Sequence, residues 1–182
     1  MSVLPKSFSL KDGSELIVRE ATSEDAADLI EMVKRIFSNA EFALTKPEEY
    51  NLSKADQATR LETFQSTVGS IYLLAQHNEQ LVGDIVFANG KKQRNQHQGE
   101  MAMGVLPEFR KLGVGNALLE TLIEWAEKDS LVKKMKLNVA IQNYNAIHLY
   151  RNHGFIEEGR LIKEIKTDDG EYMDVLAMYK FV

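Results

Sequence analysis

The segment "GVLPEFRKLGVGNALLETLIEW", residues 104–125, constrains this chain's fold more than any other. A strand-like end runs into Pro107, which has no N–H to offer a neighbouring strand. Gly113 and Gly115 follow, and then an amphipathic run over 113–128 with Val114, Leu118, Leu122 and Trp125 on one stripe. After it "MKLNVAI" alternates, with Met135, Leu137, Val139 and Ile141 on one face. A strand, a helix and a strand in this order predict a parallel, right-handed crossover over 101–141. The chain is α/β.

The flanking segments extend that plan. "SELIVREA" reads as a strand that pairs with "SFSL" through an Asp12-Gly13 turn. "TSEDAADLIEMVKRIF" opens with Thr22 or Ser23 as N-cap and keeps Ala26, Ile30, Val33 and Phe37 at helical spacing. Beyond Pro47, "SKADQATRLETFQSTV" predicts a second helix facing inward through Ala58, Leu61, Gln65 and Val68. "IYLLAQ" and "QLVGDIVFA" are strands joined at His77-Asn78-Glu79, and "EMAMGVL" is the strand entering the glycine turn. A short helix over 144–153 ends at Gly154, and "GRLIKEIK" and "EYMDVLAMYKF" form a closing hairpin across Asp169-Gly170. No repeat or Pro/Gly/Ser-rich linker divides the chain, so residues 1–182 are expected to form one domain.

Composition narrows the chemistry. The net charge of −5 argues against a general nucleic-acid binder, and the short basic run Lys91, Lys92 and Arg94 reads as a solvated loop. The absence of cysteine removes disulfides, thiolate metal sites and a cysteine nucleophile. His77, His97, His148 and His153 lack metal-ligand spacing, so no metal is expected. There is neither a signal-peptide pattern nor an apolar run long enough to span a membrane, which makes a cytoplasmic protein without a membrane partner the expectation.

The glycine turn carries the functional signal. Gly113 and Gly115 allow a tight bend and a close approach of backbone to a ligand. The first N–H groups of the helix that follows have no internal acceptor and sit at the positive end of its dipole. Arg110 adds a forked donor suited to phosphate, and Lys111 adds positive field. A diphosphate fits. A Rossmann fingerprint would need a third glycine where Leu118 stands, and no Gly-Lys-Ser/Thr tripeptide marks a Walker loop.

The pattern V-x-P-x-x-R-x-x-G-V-G, Val105 through Gly115, resembles motif A of the GCN5-related N-acetyltransferase (GNAT) superfamily. N-x-x-A-x-x-L-Y-x-x-x-G-F, Asn143 through Phe155, resembles its motif B, and "GRLIKEIKTDDGEYMDVLAMYKF" resembles its closing hairpin. The resemblance spans 14–181 and is sharpest over 99–159. It implies a mixed, mostly antiparallel sheet around the parallel strand–helix–strand unit, with acetyl-coenzyme A as donor. By position, the N–H groups of Arg110, Lys111, Leu112, Gly113, Val114, Gly115 and Asn116 would cradle the diphosphate. Met103, Gly104 and Val105 would pair with the pantetheine arm, in a gap where strands 101–106 and 135–141 splay apart. Asn143 would also hold pantetheine, Asn145 being a weaker choice for the same contact. Tyr150 would be the acid that protonates the departing sulfur.

Without cysteine, direct attack by an uncharged amine is the simpler route. Glu100, at the start of the strand before Met101, is the candidate base. The resemblance assigns the acceptor pocket to the loop "SNAEFALTKPEEYNLS" and the hairpin ends around 166–172. Glu41, Glu48 and Glu49 there suit a cationic amine, and Phe42 and Tyr50 its apolar part. The C-terminal third is similar to that of spermidine acetyltransferases. The first expectation is acetylation of a small amine, amino acid or polyamine. The alternatives are a protein N-terminus or lysine as acceptor, and a regulatory module that binds acetyl-coenzyme A without turnover. Members of the family often dimerise, which puts a homodimer among the expectations.

Overall fold

The computed structural model describes residues 4–182. Strands β1 (Lys6–Ser9) and β2 (Glu15–Glu20) form the expected hairpin. Its turn is held by the Ser14 N–H, which donates to Asp12 Oδ1 at 3.0 Å. The chain then runs through α1 (Ala26–Phe37), α2 (Lys54–Ser66), β3 (Ile71–His77), β4 (Gln80–Asn89) and β5 (Gln98–Val105). It continues through α3 (Val114–Lys128), β6 (Lys134–Ala140), α4 (Tyr144–Asn152), β7 (Ile156–Lys166) and β8 (Tyr172–Phe181). Among the described residues one sheet holds all eight strands, in the order β1-β2-β3-β4-β5-β6-β8-β7.

Every neighbouring pair in the sheet is antiparallel except β5 with β6. That parallel pair is short: Gln98, Glu100 and the residue between them face Lys134 through Lys136. Beyond Glu100 the two strands separate, while β5 stays paired with β4 as far as Val105, and β6 with β8 as far as Ala140. The sheet is therefore split down its middle, open at the C-terminal ends of both parallel strands.

Two apolar cores cover the two faces. On one, Val114, Leu118 and Leu122 of α3 and Ile147 of α4 pack on Leu73, Ile85, Phe87, Met135 and Leu137. Trp125 closes the α3 stripe half-buried, its ring 5.8 Å from Phe87. On the other, α1 and α2 pack on Tyr72, Leu74 and Leu81.

Here the helix faces differ from the sequence reading. α1 buries Ala26, Leu29, Met32, Val33 and Ile36, rotated from the expected stripe, so Ile30 and Phe37 lie at its margin. α2 turns Gln57 and Leu61 inward, and Val68, beyond its end, is 75% exposed. A helix with so few apolar residues carries too weak a periodicity to fix its own orientation. The last hairpin also starts earlier than expected, since β7 begins at Ile156 directly after the buried Phe155.

Candidate active site

The split gives β5 two chemically different edges. The Leu106 N–H donates to Val82 O at 2.9 Å, so residues 102, 104 and 106 aim their backbone groups at β4. By the alternation of a ladder, the N–H and C=O groups of Met103 and Val105 face the opening, where β6 no longer reaches them. An extended amide-bearing chain could bind there as an added strand.

At the mouth of the opening lies the turn that joins β5 to α3. Lys111 has φ 64 and Gly113 φ 111, and Gly113 is the N-cap of α3. Left-handed residues within a turn can bring successive N–H groups toward one concave side, which suits an anion. No side chain caps α3 and no acid lies in its first turn, so Val114, Gly115 and Asn116 bring unopposed donors to the same place. Leu112 ties the turn to the first hairpin, accepting from the Lys11 N–H at 3.0 Å. A Cβ on Gly115 would lie 3.3 Å from Leu149 and 3.6 Å from Met103 Cε, so this glycine lets α3, α4 and β5 converge. The Arg110 guanidinium lies over the mouth. Its Nε donates to Val105 O at 3.1 Å and its Nη1 to Asn39 O at 3.3 Å.

α4 lines the far side. Asn143 is its N-cap, Oδ1 accepting from the Ala146 N–H at 3.2 Å, which leaves the side-chain NH2 for a ligand. Asn145 is exposed on the first turn. Tyr150 is buried, its ring centroid 5.9 Å from that of Phe155, and among the described residues nothing hydrogen-bonds its hydroxyl. Burial pushes this phenol up to about 12, so it holds its proton at neutral pH. Of the histidines, His153 Nδ1 contacts Leu149 O at 2.9 Å and His148 Nε2 contacts Asn152 Nδ2 at 3.0 Å.

The other face of β5 lies toward α1 and α2. Glu100 is there, at the closed end of the split, with a 69% exposed side chain 3.8 Å from Lys136 Nζ. The expected acceptor segments do meet: Lys46 of the α1–α2 segment forms an ion pair with Asp168 at the tip of the last hairpin. Phe37 and Tyr50 pack edge to face at 5.6 Å, and the Tyr50 hydroxyl donates to Gln57 Oε1 at 3.1 Å. Gln57 is fully buried, and its Nε2 has no partner among the described residues.

Sequence reasoning missed Asp84. It lies in the middle of β4, directly opposite Gly104, and is buried. The Tyr72 hydroxyl donates to its Oδ2 at 2.8 Å, and the Gly104 N–H also bonds to the carboxylate. Burial outweighs these bonds and lifts the carboxyl from 3.8 to about 6, while the same burial and the adjacent carboxylate push the Tyr72 phenol up. The available signal was a lone acid inside the apolar run Val82 to Phe87.

A split sheet with unpaired strand edges, a main-chain anion turn at its mouth and a buried phenol alongside defines an acyl-coenzyme A N-acyltransferase fold. The model of the acetyltransferase (GNAT) family matches residues 30–155, and the chain belongs to that family. The chain is 34% identical over 80 residues to spermidine N(1)-acetyltransferase of Vibrio cholerae, a match covering 44% of this chain and 46% of that enzyme. It is 26% identical over 165 residues to the L-amino acid N-acetyltransferase AaaT of Escherichia coli, covering 91% of this chain and 97% of the relative. The chain thus spans about half the length of the first relative and nearly all of the second. Among solved structures, an acetyltransferase of the GNAT family from Streptococcus pneumoniae superposes with TM-score 0.90 at 29% identity, over 92% of this chain and 99% of that one. A putative acetyltransferase from Salmonella typhimurium, solved with acetyl-coenzyme A, shares the fold with TM-score 0.80 at 19% identity, over 91% of this chain and 93% of that one.

Proposed function

We propose that this protein moves an acetyl group from acetyl-coenzyme A to the amine of a small molecule, an amino acid before a polyamine, within a single domain spanning 1–182. The observation that carries this reading is the opening beyond Glu100, with an unpaired strand edge along it and the anion turn at its mouth. Acetyl-coenzyme A supplies an activated thioester. The N–H groups of the 110–116 turn hold its diphosphate, and Arg110 exchanges its present carbonyl partners for phosphate oxygens. Met103 and Val105 pair with the pantetheine arm on one side, and Asn143 binds it from the other. A Met103 N–H aimed at the thioester oxygen steadies negative charge as it develops. Tyr150, kept protonated by burial, gives its proton to the leaving sulfur.

The preference for an amino acid rests on coverage. The likeness to the amino-acid enzyme extends over 91% of this chain and so includes α1 or α2, the helices that wall the acceptor side. The likeness to the spermidine enzyme covers 44%. One observation favours a protein N-terminus or lysine instead: Glu100, Ala102 and Asn138 leave the sheet face beside the split exposed, with room for a peptide. Incubating the protein with acetyl-coenzyme A and a panel of L-amino acids, polyamines and short peptides, with released thiol as readout, decides. Thiol release with amino acids is the expected result. Release with peptides alone selects the second reading, and tight binding without release against any acceptor leaves only a non-catalytic module.

A further inference from the structure

We infer that Asp84 accepts the proton which the incoming ammonium must lose, acting across the bare backbone of Gly104. The inference rests on the acetyl-transfer reading and adds to it the identity of the base.

The position is costly for a carboxylate. Asp84 sits between Gly83 and Ile85 in a central strand, 8% exposed, on the face covered by α1 and α2. Its hydrogen-bond donors, the Tyr72 hydroxyl and the Gly104 N–H, are both neutral. The groups facing it from each packed element are few. β3 presents Tyr72, α1 presents the apolar Ile36 beside Gly104, and the segment before α2 presents Tyr50. α2 presents Arg60, whose guanidinium lies over the Tyr72 ring, 6.0 Å from its centroid, and acts on Asp84 only through space. A buried carboxylate without a paired cation stabilises nothing that an asparagine or leucine would not, and such groups concentrate where chemistry needs them.

Its location supplies the chemistry. A Cβ built on Gly104 would lie 3.0 Å from Asp84 Oδ1. The carboxylate therefore rests on the face of β5 at the one residue flanked by Met103 and Val105, whose backbone groups line the split. The centre of the opening is about one strand spacing away, roughly 5 Å, a span that one water can bridge between an amine and the carboxylate. A Cβ at 104 would also lie 3.0 Å from Ile36 Cδ1, so the carboxylate shares that face of β5 with an apolar side chain. Glu100, by contrast, is exposed at the closed end and drawn toward Lys136.

The proton balance closes. The ammonium carries three N–H protons and the product amide keeps one. The first proton lost goes to Asp84 and from there to solvent, leaving a free lone pair on nitrogen. That pair forms the C–N bond to the thioester carbon as the C–S bond breaks, with its electrons leaving on sulfur. Tyr150 protonates the sulfur and is refilled by the second proton from nitrogen. The products are the amide, the free thiol and one proton in solution.

Asp84→Asn tests this, because asparagine keeps the shape and an acceptor for Tyr72. With the best acceptor from the panel above, wild-type kcat/KM should rise with pH through about 6. In the variant that limb should vanish and kcat at pH 7 should fall roughly a hundredfold, the scale of general-base help. Acetyl-coenzyme A affinity should be unchanged. A variant that keeps the limb overturns the inference, as does loss of the limb in Glu100→Gln but not in Asp84→Asn. A panel on which the wild type releases no thiol is a different result and counts against acetyl transfer itself. A measurement that needs no acceptor stands beside these: carboxyl 13C shifts should reveal one aspartate titrating near pH 6 that is missing from Asp84→Asn. An Asp84 titrating in the usual carboxylate range overturns the inference whatever the acceptor.

Discussion

The two sides of strand β5 are built from different materials. Toward the split, the groups offered to a ligand are main-chain N–H and C=O groups, set by left-handed residues at 111 and 113 and by a strand partner that stops early. Toward α1 and α2, they are side chains drawn from distant segments: Tyr50, Gln57, Arg60, Tyr72 and Asp84. A main-chain site dictates which residue types can surround it, because φ, bulk and missing donors are fixed by sequence position. A side-chain site demands only that certain groups arrive in one place. The donor half should therefore tolerate little change in its glycines, and the acceptor half should be open to exchange.

The sharpest way to break that contrast is Tyr150, a side chain that we propose does chemistry on the main-chain side. Tyr150→Phe keeps the ring against Phe155 and removes only the hydroxyl. We expect kcat to fall roughly ten- to a thousandfold, within or near the reach of acid catalysis, with acetyl-coenzyme A affinity intact. Steady-state kinetics with a titration of donor binding checks both halves. An unchanged kcat removes Tyr150 from the proton path and leaves the donor half purely a matter of backbone.

Asp84 sharpens the contrast through stability. Its folded pKa, about 6, lies above the unfolded value of 3.8, so the fold prefers the neutral acid. Stability from this group is complete below about pH 3.8 and is lost as pH rises through about 6. Asp84→Asn should thus melt higher than the wild type above pH 7, by up to roughly 3 kcal/mol, and the difference should close toward pH 4. Thermal melts across that range read it directly. Equal melting curves at pH 8 would mean that the carboxylate is stabilised by something other than its two hydrogen bonds.

Arg110 probes the join between the halves, since its guanidinium bridges Val105 of β5 and Asn39 after α1. Arg110→Ala should weaken acetyl-coenzyme A binding by about 1–3 kcal/mol, the scale of a charge-assisted hydrogen bond, while Tm moves little. Calorimetric titration measures the first. A large loss of Tm with no loss of affinity would make the bridge a structural strut.

The same contrast explains what could be read beforehand. The crossover and the turn were legible because Pro107, Gly113 and Gly115 each leave a mark that local rules translate, whereas the split came only through the family resemblance. Tyr150 and Asn143 were singled out through a motif, and they lie within α4 and at its N-cap. The orientation of α2 was not legible. Gln57 faces the core and Val68 the solvent, against the hydrophobic ranking, because tertiary partners outweigh a weak pattern. Asp84 was hidden for a related reason: a single acid in a strand says nothing about which strand lies opposite, and its meaning comes from Gly104, twenty residues away in the sequence but adjacent across the ladder.

Gln57 offers the smallest effect and the finest test. Its Oε1 serves Tyr50, but its Nε2 is buried without an acceptor among the described residues, a state that costs about 1–3 kcal/mol when nothing fills it. Gln57→Met keeps the volume and removes the orphan donor. In the free protein, stability should hold or rise by about 1 kcal/mol, since the lost Tyr50 bond offsets part of the gain. If that N–H is kept for the acceptor, the acceptor KM should rise several-fold while kcat and donor affinity stay near wild type. A rise in stability without any change in KM would make Gln57 a packing fault and would separate the acceptor site from the polar cluster beneath α2. A rise in both would mean that the acceptor half, like the donor half, keeps an unmet hydrogen bond for its substrate, supplied there by a side chain instead of the backbone.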